Sequence, residues 1–386
     1  MSIIPYGKQQ VTDADIQAVV EVLQSDYWTQ GPVIQRFEKA FAEFTGAKYA
    51  VAVANGTAAL HVAALGLGVK EGDTYLVSAM TFAASSNCIL YCGGKVDFVD
   101  IDANTFLLDL NILEDKLKKS KKGQYQGIVA VDFGGLMVNL EELKSLADKH
   151  ELKIIEDASH SPAAYFIDSK GERQLCGNGK FADATTFSFH PVKHIACGEG
   201  GMITTNDADV FEKMELYRTH GITRKPELLQ ENHGGWYYEM QVLGYNYRLS
   251  ELHAALGISQ LQRIEENVAK RNIIAQRYQQ QLQDLPIQLP YLPSQDYHAL
   301  HLYIIRTKQR KALYEFLRKH QIYTQVHYLP VHYLPYYQTL GFKKGDFPQT
   351  ESYYEECLTL PIYPQLSETE QDFVIAKIRA FFEGNT

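Results

Sequence analysis

Three short stretches carry residue types suited to covalent chemistry. The run Thr186-Phe187-Ser188-Phe189-His190-Pro191-Val192-Lys193 is apolar, ends in a lysine and is followed by Gly198-Glu199-Gly200-Gly201. A lysine leaving a buried strand is poorly placed to solubilise a surface. It is well placed to be a desolvated amine, the form that attacks a carbonyl. The run Ile154-Ile155-Glu156-Asp157 delivers an acid to a strand end, with His160 close behind. The third stretch, from Val51 through Asn55-Gly56-Thr57 to Leu60, reads as strand, turn and helix. Free N–H groups at a helix start receive phosphate, and Thr57 adds a hydroxyl. Each feature has an ordinary alternative: a surface lysine, a capping acid, a tight turn. Taken together, a lysine for an aldehyde, an acid for a pyridine nitrogen and a helix start for a phosphate meet the demands of pyridoxal 5′-phosphate (PLP).

The elements that must position these residues follow from hydrophobic periodicity. Strands are expected at 49–54, 74–78, 95–100, 127–132, 153–157, 184–189 and 200–205. The apolar ones are nearly continuous, which suits strands covered on both faces. Helical stretches separate several of them, including one near 139–150 with Asn139 as its cap. Ahead of the first strand, Thr12 and Asp15 form a capping signature, and Gly31-Pro32 and Gly46 bracket a second helix. Alternation of this kind predicts an α/β fold with a large, mostly parallel sheet. After the glycine-rich turn the pattern changes. One long amphipathic run covers 250–282, strands are expected at 300–306 and 322–329, a helix at 311–320, and Ser367-x-x-Glu370 opens the last helix. The chain is therefore divided into a large domain, 1–260, and a smaller α+β domain, 261–386.

Bulk properties narrow the function classes. The 386 residues carry a formal charge of −9 without a basic run, which argues against nucleic acid as a partner. Five scattered cysteines fit neither a disulfide framework nor a metal-ligand spacing, so no metal is expected. No stretch approaches the ~20 apolar residues of a membrane helix, and the N-terminal residues lack a signal-peptide pattern. These features predict a cytoplasmic protein away from the membrane.

Segments spread over most of the chain resemble the DegT/DnrJ/EryC1/StrS family of sugar aminotransferases. They include Tyr6-Gly7-Lys8-Gln9, Thr29-Gln30-Gly31-Pro32, Asn55-Gly56-Thr57-Ala58-Ala59-Leu60-His61, Glu156-Asp157-Ala158-Ser159-His160, the Ser188–Lys193 element, Gly244-Tyr245-Asn246-Tyr247-Arg248 and Val326-His327-Tyr328-Leu329-Pro330-Val331-His332. Within that family the likeness leans towards the transaminases of pseudaminic acid biosynthesis. The resemblance implies the fold-type I PLP-dependent aminotransferase architecture. It also implies catalytic roles for Lys193, as Schiff-base lysine and proton carrier, and for Asp157, as partner of the pyridine nitrogen. Phe82 would stack on the cofactor ring and His160 would lie near its 3-oxygen. Gly56, Thr57 and Ser188 would bind the phosphate, joined by Asn246 from a neighbouring subunit, which makes a homodimer the expected assembly. Tyr6, Asp26, Tyr27, Trp28, Thr29, Gln325, Val326, His327 and Tyr328 would contact substrate.

The implied reaction transfers the amino group of L-glutamate to C4 of a UDP-4-keto-6-deoxy-N-acetylhexosamine, giving UDP-4-amino-4,6-dideoxy-N-acetyl-β-L-altrosamine. Alternatives are a PLP aminotransferase for another carbon or a dTDP- or GDP-linked keto sugar, and a non-catalytic PLP-fold binding protein. Several positions depart from the family pattern, among them Asn55 in place of serine, Trp28 in place of leucine, and Asp132-Phe133-Gly134-Gly135 in place of a histidine-containing strand end.

Overall fold

The computed structural model describes residues 3–384. A seven-stranded sheet organises the larger part. Its strands are β1 (Tyr49–Val53), β2 (Thr74–Ser78), β3 (Lys95–Val99), β4 (Gly127–Val131), β5 (Lys153–Asp157), β6 (Ala184–Ser188) and β7 (Gly201–Thr205). Each lies within one residue of its predicted bounds. Their order across the sheet is β1-β7-β6-β5-β4-β2-β3. Only β7 runs against its neighbours, pairing antiparallel with β1 and β6; the remaining pairs are parallel. The C-terminal ends of β1, β2, β5 and β6 therefore share one edge, where open α/β sheets hold their ligands.

Helices cover both faces. The capping signature at Thr12 starts α1 (Asp13–Leu23), with the Thr12 N–H donating to the Asp15 carboxylate at 2.8 Å. Pro32 and Gly46 bracket α2 (Pro32–Thr45), and Gly46 takes φ +80° to end it. Phe37 and Phe41 of α2 pack on Phe189 and Phe187, with centroids 5.4 and 4.9 Å apart. Burying each such ring contributes roughly 1.5–3 kcal/mol, and here it anchors the strand that leads to Lys193. On the other face α3 (Gly56–Gly66) packs against β6 and β7, its Ala58, Ala59, Val62 and Ala63 buried among sheet side chains. After β2 comes α4 (Ala84–Tyr91).

The amphipathic run at 250–282 is two helices, α5 (Glu251–Leu261) and α6 (Ile264–Leu282), with a break at Gln262 and Arg263. The break redirects the chain so that the Arg263 guanidinium donates to the buried Asp15 carboxylate at 2.8 and 3.0 Å. A second core gathers Ile274, Tyr278, Tyr303, Leu317, Leu358 and Ile375. It is built on α6, on α7 (Arg310–Lys319), on α8 (Glu368–Phe382) and on the antiparallel pair β8 (Tyr303–Arg306) and β9 (Cys357–Leu360). Ile4 belongs to this core, because Ile4–Pro5 pairs parallel with Ile322–Tyr323.

Two predicted strands are shorter than expected. The run 300–306 pairs only from Tyr303, since Ala299 and Leu302 give their N–H groups to Gly135 and Gly134 at the large sheet's edge. The run 322–329 pairs only over Ile322–Tyr323 and at an isolated bridge between Gln325 and Thr359. Pro330 has no N–H to extend the ladder, and His327 and Tyr328 turn into the cavity at the sheet edge instead. Among the described residues no helix is long and apolar enough to cross a membrane.

Candidate active site

A cavity of about 680 Å³ opens at the C-terminal edge of the sheet. Its walls include Asn55, Gly56 and Thr57 after β1, Phe82 after β2, Asp157 at the end of β5, and Ser188 at the end of β6. Lys193 follows β6 through a tight turn in which its N–H donates to His190 O at 2.8 Å. That turn presents the lysine inward. Burial of its amine lowers the pKa to about 8, and the opposing charge of Asp157 limits the fall.

The buried Asp157 carboxylate is held at both oxygens. Ser85, on α4, donates to Oδ2 at 2.6 Å, and Ser159 donates its hydroxyl to Oδ1 at 2.6 Å. Thr81 lies 2.6 Å from Ser85 and extends the chain of hydroxyls. The acid is thus fixed in orientation while one edge faces the cavity.

The N-terminus of α3 forms a cradle. The Asn55 side chain accepts from the Ala58 N–H at 2.8 Å, so the residue that departs from the family's serine still caps the helix. The N–H groups of Gly56 and Thr57 have no partner among the described residues. β7 approaches closely at Gly201, where an added Cβ would lie 2.5 Å from the Asn55 carbonyl oxygen; only glycine allows that approach. Unpaired amides at a helix start, with the Thr57 and Ser188 hydroxyls nearby, suit a phosphate. Amine, acid and cradle share one cavity, so the residues present fit PLP.

His160 is buried, and the Gly134 N–H donates to its Nδ1 at 3.2 Å. That bond places the ring proton on Nε2, which lies 3.2 Å from the Tyr328 hydroxyl. Burial first, then the Lys193 charge and neighbouring His327 and His194, push the His160 pKa well below its ordinary value. The imidazole is therefore a neutral donor. Phe82 lies 5.8 Å from Tyr328, and Tyr6 lies 5.1 Å from His327, centroid to centroid.

Of the residues expected from sequence, Tyr6, Gly56, Thr57, Phe82, Asp157, His160, Ser188, Lys193, His327 and Tyr328 line this one cavity. Asp26, Tyr27, Trp28 and Thr29 do not: the loop is exposed, Tyr27 lines a separate hollow beside α1 and α2, and Thr29 bridges Ser250. Gln325 and Val326 stand just outside, and the exposed Asn246 bridges Thr219 away from the cavity. Sequence reasoning missed Ser85, 72 positions from the acid it holds, and the wall residues Tyr91, Tyr247 and His301. No local pattern marks them, because only the tertiary fold brings them in.

A profile of the DegT/DnrJ/EryC1/StrS aminotransferase family matches residues 9–379. The chain belongs to this family. It is 37% identical over 390 residues to the spore coat polysaccharide biosynthesis protein SpsC of Bacillus subtilis, covering 99% of this chain and 97% of that one. It is 34% identical over 378 residues to a UDP-4-amino-4,6-dideoxy-N-acetyl-β-L-altrosamine transaminase of Campylobacter jejuni, covering 96% and 95%. Among solved structures, Helicobacter pylori PseC, an aminotransferase of pseudaminic acid biosynthesis, superposes with a TM-score of 0.89 at 30% identity, covering 99% of this chain and 100% of that one. The sugar aminotransferase Spr1654 of Streptococcus pneumoniae superposes with a TM-score of 0.90 at 27% identity, covering 99% of each chain, and has been solved with PLP and with its aminated form. The protein is a PLP-dependent sugar aminotransferase.

Proposed function

We propose that the chain transfers the amino group of L-glutamate to C4 of a UDP-linked 4-keto-6-deoxy-N-acetylhexosamine, giving UDP-4-amino-4,6-dideoxy-N-acetyl-β-L-altrosamine. The observation that carries the chemistry is the convergence of the Lys193 amine, the Asp157 carboxylate and the α3 cradle on one cavity. The sugar is supported by the Campylobacter and Helicobacter relatives, which align over nearly the whole chain.

PLP supplies the aldehyde that binds amines and the ring that accepts electron density during transfer. Lys193, with a pKa near 8, takes the α-proton of the donor through Nζ and returns one to the sugar's C4. Asp157, held by Ser85 and Ser159, would keep a proton on the pyridine nitrogen. The Tyr328 hydroxyl, bonded to His160 Nε2–H, would serve the ring's 3-oxygen with His160 beside it, and Phe82 would stack on the ring. Gly56, Thr57 and Ser188 would hold the phosphate, joined by Asn246 of a second subunit in a homodimer. Tyr6, His327 and Tyr328 contact the sugar, and the loop of Asp26, Tyr27, Trp28 and Thr29, with Gln325 and Val326, extends that contact to the nucleotide. The five cysteines are all unpaired, in keeping with a cytoplasmic location.

The test is an absorbance spectrum of the PLP-loaded protein before and after glutamate, beside Lys193→Ala, followed by mass analysis of each UDP-keto-sugar offered. A visible band that glutamate shifts, absent in the variant, and a product one amine richer at C4 are the expected results. Amination of another carbon, or of a dTDP-linked sugar only, would replace the substrate assignment. SpsC, 37% identical to this chain and named only for spore coat polysaccharide biosynthesis, specifies no sugar nucleotide, so both outcomes are put to the same assay.

A further inference from the structure

Among the described residues, the only lysine or arginine on the cavity wall is Lys193. Whatever a second subunit adds, the hydrogen-bond donors this chain can offer the donor's carboxylates besides Lys193 include the histidines of the wall, and these are the groups to compare. His160 has both ring nitrogens engaged, by the Gly134 N–H and the Tyr328 hydroxyl. His327 has its Nδ1 engaged by Thr359 Oγ1 at 2.8 Å, and His190 is exposed to water. His301 differs from all of these. It is 4% exposed, it lines the cavity, its Nδ1 is buried without a partner, and its ring makes no hydrogen bond among the described residues. A buried polar atom left unpaired costs about 1–3 kcal/mol, so this ring is unexplained by folding alone.

The placement of His301 is over-determined. Its ring packs against His160, tilted by 31° with centroids 4.4 Å apart, and His194 lies 5.7 Å away. The backbone around it docks on the end of the sheet, where Ala299 donates to Gly135 O at 2.9 Å and Leu302 to Gly134 O at 3.1 Å. Gly135, at φ +107°, permits this: an added Cβ would meet Leu300 N at 2.8 Å and His160 O at 2.8 Å. Behind the turn the buried Arg271 donates to the carbonyls of Leu300, His301 and Ile362 at 3.2, 3.4 and 2.9 Å. Leu300 itself is held at φ +51°. A segment fixed this firmly, at some backbone strain, presents an imidazole whose hydrogen-bonding capacity the protein does not use.

We propose that His301 is a donor-binding residue, its Nε2–H donating to a carboxylate of the amino-acid substrate beside Lys193, since Nδ1 is closed off from the cavity. This rests on the aminotransferase reading and deepens it by naming what holds the donor. Burial first, then the neighbouring Lys193, His160, His194 and Arg271, hold the His301 pKa well below its ordinary value, so the ring is neutral without substrate. A carboxylate against it offsets the Lys193 and Arg271 charges and strengthens the bond by favouring the protonated ring.

The experiment uses the PLP-loaded enzyme and two readouts. The first is the glutamate concentration that half-converts the visible band, in wild type, H301F and H301Q. A lost hydrogen bond to a charged group predicts a rise of about tenfold or more for H301F, and recovery to within about threefold for H301Q, which keeps an N–H donor. Amination of the keto sugar by the pre-aminated cofactor form should stay within about twofold in both, because that half-reaction contains no carboxylate donor. The second readout is the shift in melting temperature caused by glutarate, an unreactive dicarboxylate, expected in wild type and absent in H301F. If H301F fails to take up cofactor, H301A replaces it. Equal glutamate and glutarate responses in wild type and variant would overturn the role of His301 alone. A wild type whose band glutamate does not shift, but which glutarate stabilises through His301, would overturn the glutamate reading and leave the carboxylate site standing.

Discussion

A lysine whose amine titrates near pH 8 is a nucleophile for part of its population at neutral pH, whereas an ordinary lysine near 10.4 is almost entirely protonated. The folded-state pKa is depressed, so the reactive neutral amine is present above about 8 and is lost as pH falls through that value. Capture of PLP by cofactor-free protein, followed as growth of the visible band, should therefore quicken about tenfold per pH unit below 8 and level off above it. Asp157 opposes the depression. Replacing it with asparagine should move the break in the profile below 8 while weakening retention of the cofactor. A break unchanged by Asp157→Asn would remove the electrostatic link between the two residues. This part of the site was legible in the sequence because Asp157 closes a buried strand and Lys193 follows another within one tight turn. Ser85 and His301 were not, since a serine on a helix and a histidine before a strand carry no local signature of what they face.

At the scale of elements, the sheet was readable because β4 is apolar throughout and β5, β6 and β7 are buried over most of their length, so their residues show no in–out alternation. The helix boundaries at Thr12, Gly31-Pro32, Gly46 and Ser367 were readable because capping is local chemistry. Segments governed by distant partners were not. The break between α5 and α6 answers to Asp15, and the shortened strand before β8 answers to Gly134 and Gly135. Glu251, at the start of α5, shows how strongly such a partner can act. Fully buried, its carboxylate accepts the N–H of Gly31 at 2.8 Å and of Val33 at 2.6 Å, capping α2 from more than two hundred residues away. Glu251→Ala would leave two buried donors unpaired at a positive helix end. It should cost about 2–4 kcal/mol, read as a lower denaturant midpoint, with Glu251→Gln recovering part of the loss. A midpoint unchanged by alanine would mean that water replaces the carboxylate.

The whole molecule poses the remaining question of how the phosphate cradle is completed. The cradle offers amides and hydroxyls, with no lysine or arginine other than Lys193 on the cavity wall among the described residues, while the exposed Asn246 lies outside that wall. The segment leading to Asn246 carries the exposed side chains of Trp236, Tyr238, Met240 and Leu243, apolar groups fit for burial against a second copy. The proposed homodimer turns this into a complementation experiment. A chain with Lys193→Ala supplies an intact Asn246, and a chain with Asn246→Arg supplies an intact Lys193. Each is inactive alone. In a randomly mixed population half the dimers are hybrids, and each hybrid rebuilds one of its two sites. Co-refolding equal amounts should then restore about a quarter of wild-type activity. Sites completed within a single chain would show no recovery, and the orientation of Asn246 would then need a conformational change within the subunit to bring it to the phosphate.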